Sequence, residues 1–304
     1  MDVISPVEAV RDCPGCGRRV GRVVWREGGY RYLRCLRCAQ VYANLSTEHY
    51  ELAQHNVWDD ADVSPETRAF YGDARTRVHD DFLARQSPFG GRRLLDVGCG
   101  LGYFLARASE DGWDVRGCDT SREWAAHANR RLGEANVVCG GPDHRALQDE
   151  RFDLITAWDV IEHVFDPLPF LVKIRRLLAP GGRVFLRTPN FAYLLPVYSL
   201  RRWFLRHEVE LGPTNHVVYF TAATMRRALD HAGLEPVDWR PLVPPQIAVS
   251  ATAERRFGRE RSIVVRAKNL YARASGAVVT VSGGRLVISS DLDVLAAGST
   301  GAAG

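Results

Sequence analysis

Two cysteine pairs, Cys13-Pro14-Gly15-Cys16 and Cys35-Leu36-Arg37-Cys38, read C-x2-C-x18-C-x2-C, the spacing of a four-thiolate zinc site. Four thiolates leave no coordination position for water, so this chemistry is structural rather than catalytic. Gly17 follows the first pair, where such turns bend left-handed, and Ala39 stands at the equivalent place after the second. A second constellation is Leu94-Leu95-Asp96-Val97-Gly98-Cys99-Gly100-Leu101-Gly102-Tyr103, an apolar run with an acid near its end, then three spaced glycines. Glycines there let a ligand approach the main chain. The carboxylate two residues ahead of Gly98 is unsuited to a pyrophosphate and suited to a cationic ligand. Asp119, in Gly117-Cys118-Asp119-Thr120-Ser121, ends the next apolar run. It can accept two ribose hydroxyls or cap the helix that follows.

A third group is Asp159-Val160-Ile161-Glu162-His163. On a helical turn Asp159, Glu162 and His163 share one face. Two carboxylates and an imidazole can hold a hard divalent ion such as magnesium, although histidine favours transition metals. His163 is the first candidate for a general base and His216, in Thr214-Asn215-His216-Val217-Val218-Tyr219-Phe220, the second. The alternative for His216 is a hydrogen bond that fixes the turn before a helix at Ala222.

These residues need a frame, and the pattern supplies one. From Arg93 onward, short apolar runs alternate with amphipathic segments, the βαβ signature of a parallel sheet covered on both faces. Strands are expected near 94–97, 113–118, 135–139, 152–157, 183–188, 235–240 and 291–296, and helices near 102–111, 121–132, 168–178 and 222–232. Residues 1–45 read as a ribbon with β-like runs at Arg19–Trp25 and Tyr30–Arg34. Residues 46–90 read as a helical linker whose main helix spans Ser64–Ala84, and 91–298 as the α/β domain with insertions at 191–220 and 241–290. A tail at 299–304 is expected to be disordered. Phe191 to Arg206 suits a lid over an apolar pocket, a shallow membrane contact or plain packing. Arg255 to Ala274 suits a basic helix at the pocket or at a dimer face.

The charge balance, 40 basic against 36 acidic residues with only Lys173 and Lys268 as lysines, does not call for nucleic acid. The absence of a leader pattern or a membrane-length apolar run, and cysteines grouped in metal-type pairs, lead to the expectation of a cytoplasmic protein without disulfides.

The strings LLDVGCGLGYFL, GCDTS, FDLITAWDVIEHVFDP and LLAPGGRVFLRTPN, in that order, resemble the successive motifs of class I S-adenosylmethionine-dependent methyltransferases over residues 92–298. The likeness is closest to the broad small-molecule branch, which includes the ubiquinone-pathway O-methyltransferases and many natural-product and glycan-tailoring enzymes; several members of that branch carry an N-terminal zinc ribbon. It implies a Rossmann-like seven-stranded sheet with the last strand antiparallel, and adenosylmethionine as cofactor, a ligand with an ammonium and a sulfonium but no phosphate. By this resemblance Asp96, Gly98, Cys99, Gly100, Gly102 and Tyr103 line the methionine and ribose, Asp119 and Thr120 hold the ribose, and Asp143 contacts adenine. Trp158 closes over the methionine end or serves as a core aromatic. Ubiquinone-pathway enzymes bind a metal at an acid-x-x-Glu-His cluster; here Asp159 stands where that pattern has Glu.

The expected reaction is O-methylation of a small biosynthetic intermediate, with C- or N-methylation as variants. The rivals are an RNA methyltransferase that captures nucleic acid through the ribbon's arginines (Arg18, Arg19, Arg22, Arg26, Arg31, Arg34, Arg37) and a non-catalytic adenosylmethionine-binding module. The fourth-strand motif is not the Asn/Asp-Pro-Pro-aromatic type used on flipped bases, which disfavours the RNA reading.

Overall fold

The computed structural model describes residues 3–4, 11–27, 29–54, 72, 75–86, 92–133, 135–196, 199, 216–239, 287 and 291–299. Strands β1 (Val3–Ile4), β2 (Gly21–Glu27), β3 (Tyr30–Cys35) and β4 (Val41–Ala43) pair antiparallel in sequence order. In β2 the residues Gly21, Val23 and Trp25 alternate inward, the period of a half-buried strand. Gly17 and Ala39 both adopt the left-handed conformation, at φ 68° and 63°. The two cysteine turns are therefore equivalent, and Ala39 accepts a strain that glycine would not feel.

Helices α1 (Thr47–Gln54) and α2 (Thr76–Ala84) follow. The linker helix expected from Ser64 is thus described only from Thr76, and most of its first half lies outside the described residues. The second sheet then alternates with helices: β5 (Arg93–Val97), α3 (Tyr103–Glu110), β6 (Asp114–Asp119), α4 (Arg122–Leu132), β7 (Val137–Cys139), β8 (Phe152–Trp158), α5 (Pro167–Arg176) and β9 (Leu178–Pro189). After β10 (Val218–Tyr219) come α6 (Ala222–His231), β11 (Leu234–Asp238) and β12 (Asp291–Gly298). The sheet order is β11-β12-β9-β8-β5-β6-β7, with β5 to β9 parallel and β12 antiparallel to both its neighbours.

β9 starts five residues before its expected start at 183, because Ala179-Pro180-Gly181-Gly182 joins the strand through a bulge instead of ending a turn. Local signals place the helix ends. Ser121 accepts the Trp124 amide to cap α4, and Thr221 and Thr224 form a reciprocal capping box on α6, devices worth about 1 kcal/mol each.

Strand β10 belongs to the other sheet: it pairs with β4, so the chain after the fifth sheet strand extends the ribbon. Trp25, Tyr32, Val41, Ala43 and Leu45 accordingly join the same buried cluster as Phe170, Leu186, Tyr219 and Leu229. Ribbon and α/β sheet share one core. Residues 191–196 are helical, whereas 197, 198 and 200–206 of the expected lid, the basic segment 255–274 and the tail from 300 lie outside the described residues. Among the described residues no helix is long and apolar enough to cross a membrane.

Candidate functional site

The glycine loop leaves the carboxyl end of β5, beside the point where strand order reverses between β5 and β8. Open parallel sheets bind ligands at such a point. Gly98 and Cys99 donate their amides to Cys118 O at 2.8 and 3.1 Å, which ties the loop to β6. Gly98 sits at φ 68°, and a Cβ there would stand 2.6 Å from Val160 Cγ2. Gly102 is needed for packing instead. A Cβ on it would meet Ala128 Cβ at 2.9 Å, so this glycine lets α3 approach α4.

A cavity of about 620 Å³ opens over the loop. It gathers Asp96, Gly98, Cys99, Gly100, Tyr103, Asp119, Thr120, Asp143, Trp158, Asp159, Glu162, His163 and His216, and Gly102 is the one expected residue of this domain that does not line it.

Asp119 accepts the Gly100 amide on Oδ2 at 2.8 Å and the Ser121 amide on Oδ1 at 2.9 Å. Ser121 itself caps α4, so the capping role weighed for Asp119 falls to its neighbour, and each carboxylate oxygen keeps a lone pair for a ligand. Burial pushes the Asp119 carboxyl up while the two amides oppose it. Asp96 is fully buried and accepts the Thr156 hydroxyl at 2.7 Å. Burial pushes its pKa up to about 8, which the Thr156 bond only partly offsets. A cation beside Asp96 would restore its charge. Asp143 is bound by Lys173 at 2.7 Å, which holds it below the usual carboxylate range.

Trp158 is a core aromatic and a cavity wall at once. Its ring packs on His79, Phe82, Phe104 and Phe185 at centroid distances of 5.1, 5.2, 5.1 and 4.7 Å, and its buried Nε1 has no hydrogen-bond partner in the protein.

The acidic cluster departs from expectation. Residues 159–163 form a turn rather than a helix, and Asp159 is left-handed at φ 54°. Its carboxylate pairs with Arg75 at 2.8 Å. The donors that come within 4.8 Å of one another are those of Glu162, His163 and His216. The set read for magnesium, Asp159 with Glu162 and His163, is therefore not assembled. One carboxylate and two imidazoles suit a transition ion better than magnesium. Both Glu162 oxygens are buried without a well-formed hydrogen bond. Burial, with the Asp159 charge adding to it, pushes this carboxyl far up while the Thr188 hydroxyl alongside opposes.

The His163 and His216 rings meet edge-on at 4.8 Å. Burial, reinforced by His163, pulls His216 down to about 4, so its imidazole is neutral at pH 7.

Sequence reading passed over Tyr50, Arg75, His79, Arg187 and Asp291, which also line the cavity. Arg187 is 3% exposed and reaches Asp291 at 3.0 Å, Asp293 at 3.5 Å and Asp159 at 4.0 Å. Burial works against its charge, but the carboxylates of Asp293, Asp291 and Asp159 outweigh it and hold the guanidinium above its ordinary pKa. Arg187 stands in the stretch Val184 to Thr188 of β9, buried on both faces, and faces Asp293, its register partner in β12.

In the ribbon, the Cys13 and Cys38 sulfurs lie 3.5 Å apart and those of Cys16 and Cys35 3.6 Å, all four within 4.8 Å. A zinc ion with bonds of about 2.3 Å sets tetrahedral S···S edges near 3.8 Å, so the donor set fits. Hydrogen bonding between the two thiols pushes Cys13 up and Cys38 down, as expected where one thiolate is shared by a cluster. Cys13, Cys16, Cys35 and Cys38 would hold such an ion with no position left for a substrate.

Sheet order, glycine loop and buried carboxylates together define a Rossmann-like fold of the adenosylmethionine-dependent methyltransferases. The chain belongs to the methyltransferase-domain family, whose model matches residues 71–238, more than half of it. The ubiquinone biosynthesis O-methyltransferase of Aeromonas salmonicida is 32% identical over 152 residues, covering 47% of this chain and 63% of that protein. Its counterpart from Cereibacter sphaeroides is 30% identical over 174 residues, covering 54% and 68%. The chain thus spans less than two thirds of the first of these relatives. A chain from the complex between the Haloferax volcanii Trm112 methyltransferase activator and a methyltransferase shares the fold, with a TM-score of 0.52 at 20% identity over 84% of this chain and 99% of that one.

Proposed function

We propose that the protein methylates a hydroxyl oxygen of a small-molecule biosynthetic intermediate. The observation that carries this reading is the neutral His216 imidazole set against His163 in the same cavity as the glycine loop. Adenosylmethionine supplies a methyl group already activated by its sulfonium. The protein's work is then to align the acceptor, exclude water and take up one proton. His163, with the His216 ring packed edge-on against it, would accept the acceptor's hydroxyl proton as the oxygen–carbon bond forms and the donor's methyl–sulfur bond breaks to leave adenosylhomocysteine. Asp119, Thr120 and the loop from Gly98 to Tyr103 hold the donor, with Asp96 answering its positive charge. Trp158 and Phe104 close the apolar wall. The O-methyltransferase relatives at 30–32% identity support an oxygen acceptor.

The test is calorimetric titration with adenosylmethionine and adenosylhomocysteine, followed by transfer of a labelled methyl group to a panel of small phenols and alcohols. Micromolar binding, about −8 kcal/mol, is expected for the wild type, and Asp119→Ala should weaken it at least about tenfold. His163→Ala should bind normally and transfer slowly. A well-folded wild type that binds neither ligand would overturn the reading.

A further inference from the structure

The ribbon is bonded to one part of the cavity. Arg11, two residues before Cys13 and only 5% exposed, donates to Phe165 O at 2.5 Å, stacks on the Phe165 ring at 3.5 Å and lies 3.7 Å from Asp166. Tyr50, on α1 beyond the ribbon, donates its hydroxyl to His163 O at 2.9 Å and packs on Phe165 at 4.9 Å. On the other flank, Ala43 donates its amide to Val217 O at 3.0 Å, and Gln40 Nε2 donates to Tyr219 O at 2.7 Å. Arg227 donates to Cys38 O, the carbonyl of a zinc-type ligand. The circuit closes through Glu162 O, which accepts the Val217 and Val218 amides at 2.8 and 3.1 Å, and through Tyr219, whose hydroxyl donates to His216 O at 2.8 Å. The backbones that carry His163 and His216 are therefore gripped from the ribbon on both flanks. The glycine loop, by contrast, is bonded through Cys118 and Asp119 of β6.

We propose that the ribbon is a positioning clamp: Arg11 and Tyr50 hold the 163–166 turn, and β4 holds β10, so that the four-cysteine knot sets the distance between His163 and His216 without touching the donor. Arg11 and Tyr50 act through backbone carbonyls and are positioning residues. The importance of that distance for turnover rests on the function proposed above. The geometric claim does not.

The experiment uses the full chain with its metal content measured. The ring 1H–13C signals of His163 and His216, assigned by substitution, are compared among wild type, Tyr50→Phe, Arg11→Met and chelator-treated protein, with adenosylhomocysteine affinity measured in parallel. Tyr50→Phe removes one hydroxyl and leaves the ring against Phe165, so the fold should survive even if the other treatments harm it. Both histidine signals should shift or broaden while metal content stays whole in the two variants and affinity for adenosylhomocysteine stays within twofold. Unchanged histidine signals in Tyr50→Phe and Arg11→Met would overturn the clamp. So would a joint loss of histidine signals and ligand affinity, because the ribbon would then be supporting the whole fold. Failure of wild type to bind adenosylhomocysteine would instead strike the proposed function, leaving the histidine signals to decide the clamp.

Discussion

On the glycine-loop side, the cavity is held in place by main-chain hydrogen bonds: amides of Gly98, Cys99, Gly100 and Ser121 are committed to Cys118 O and Asp119, all within 24 residues of sequence. On the histidine side it is made of side chains drawn from α1, α2, β9, β12 and the turns at 159–163 and 216. The first side needs glycines and one or two acids at fixed spacing. The second needs charges that cancel across distant strands, so the two should fail in different ways when single residues are changed.

The largest effect is expected at Arg187. Replacing it with Met leaves Asp159, Asp291 and Asp293 facing one another without their shared cation. Breaking a buried ion pair from one side costs about 3–5 kcal/mol. Urea unfolding should show a loss of that size, and Asp293→Asn in the same chain should recover part of it. A loss below about 1 kcal/mol would mean the network is solvated and the contrast between the two sides is weaker than the geometry implies.

The same contrast explains what could be read from the chain. The order of strands and helices was legible because apolar runs alternate with amphipathic segments, and the loop from Asp96 to Tyr103 because its constraint is local. The early start of β9 was not, since a Pro-Gly-Gly run reads as a turn and only pairing with Phe152 draws it into the sheet as a bulge. Local spacing puts Asp159 on one face with Glu162 and His163. A left-handed backbone and the Arg75 ion pair, neither visible in that spacing, remove it. His216 is recognisable as a candidate base, yet its partner is not, because the pairing of β10 with the ribbon brings that segment home. Arg75 and His79, four apart at and within the start of α2, and the Asp-Leu-Asp run of β12 offer polar groups on inward faces, a pattern that asks for a partner without naming one.

An intermediate effect is expected at Gly98. In Gly98→Ala the new Cβ meets Val160 Cγ2 at 2.6 Å in a left-handed backbone, and left-handed strain with overpacking amounts to about 2–3 kcal/mol. Adenosylhomocysteine affinity should fall more than about tenfold; the His163 ring signal should shift with the displaced Val160, whose carbonyl accepts the His163 amide, while the His216 signal changes little. Adding Val160→Ala should relieve the clash and leave the strain. Equal damage to both sides would deny that they are separable.

The effect that is smallest for each unit of change, and that sharpens the comparison most, is the pH dependence that Asp96 imposes. Its carboxyl titrates near 8 in the folded protein and near 3.8 when unfolded, so between these values the folded chain holds a proton that the unfolded chain has released. Stability must therefore fall as pH rises through this window, by up to about 1.4 kcal/mol per pH unit. Asp119 and Glu162, both raised by burial, act in the same direction. Asp96→Asn removes one of these protons and should flatten the slope measured by urea unfolding between pH 5 and 8 by up to that amount. A cationic ligand beside Asp96 should have a related consequence: binding near pH 7 forces the carboxyl to ionise and releases up to one proton, read as a dependence of calorimetric heat on buffer ionisation enthalpy. Adenosylmethionine should release that proton from wild type and less from Asp96→Asn. His163→Ala should leave the release unchanged, because its side of the cavity meets the acceptor. Identical proton release in wild type and Asp96→Asn would show that the charge of the donor is answered elsewhere in the cavity.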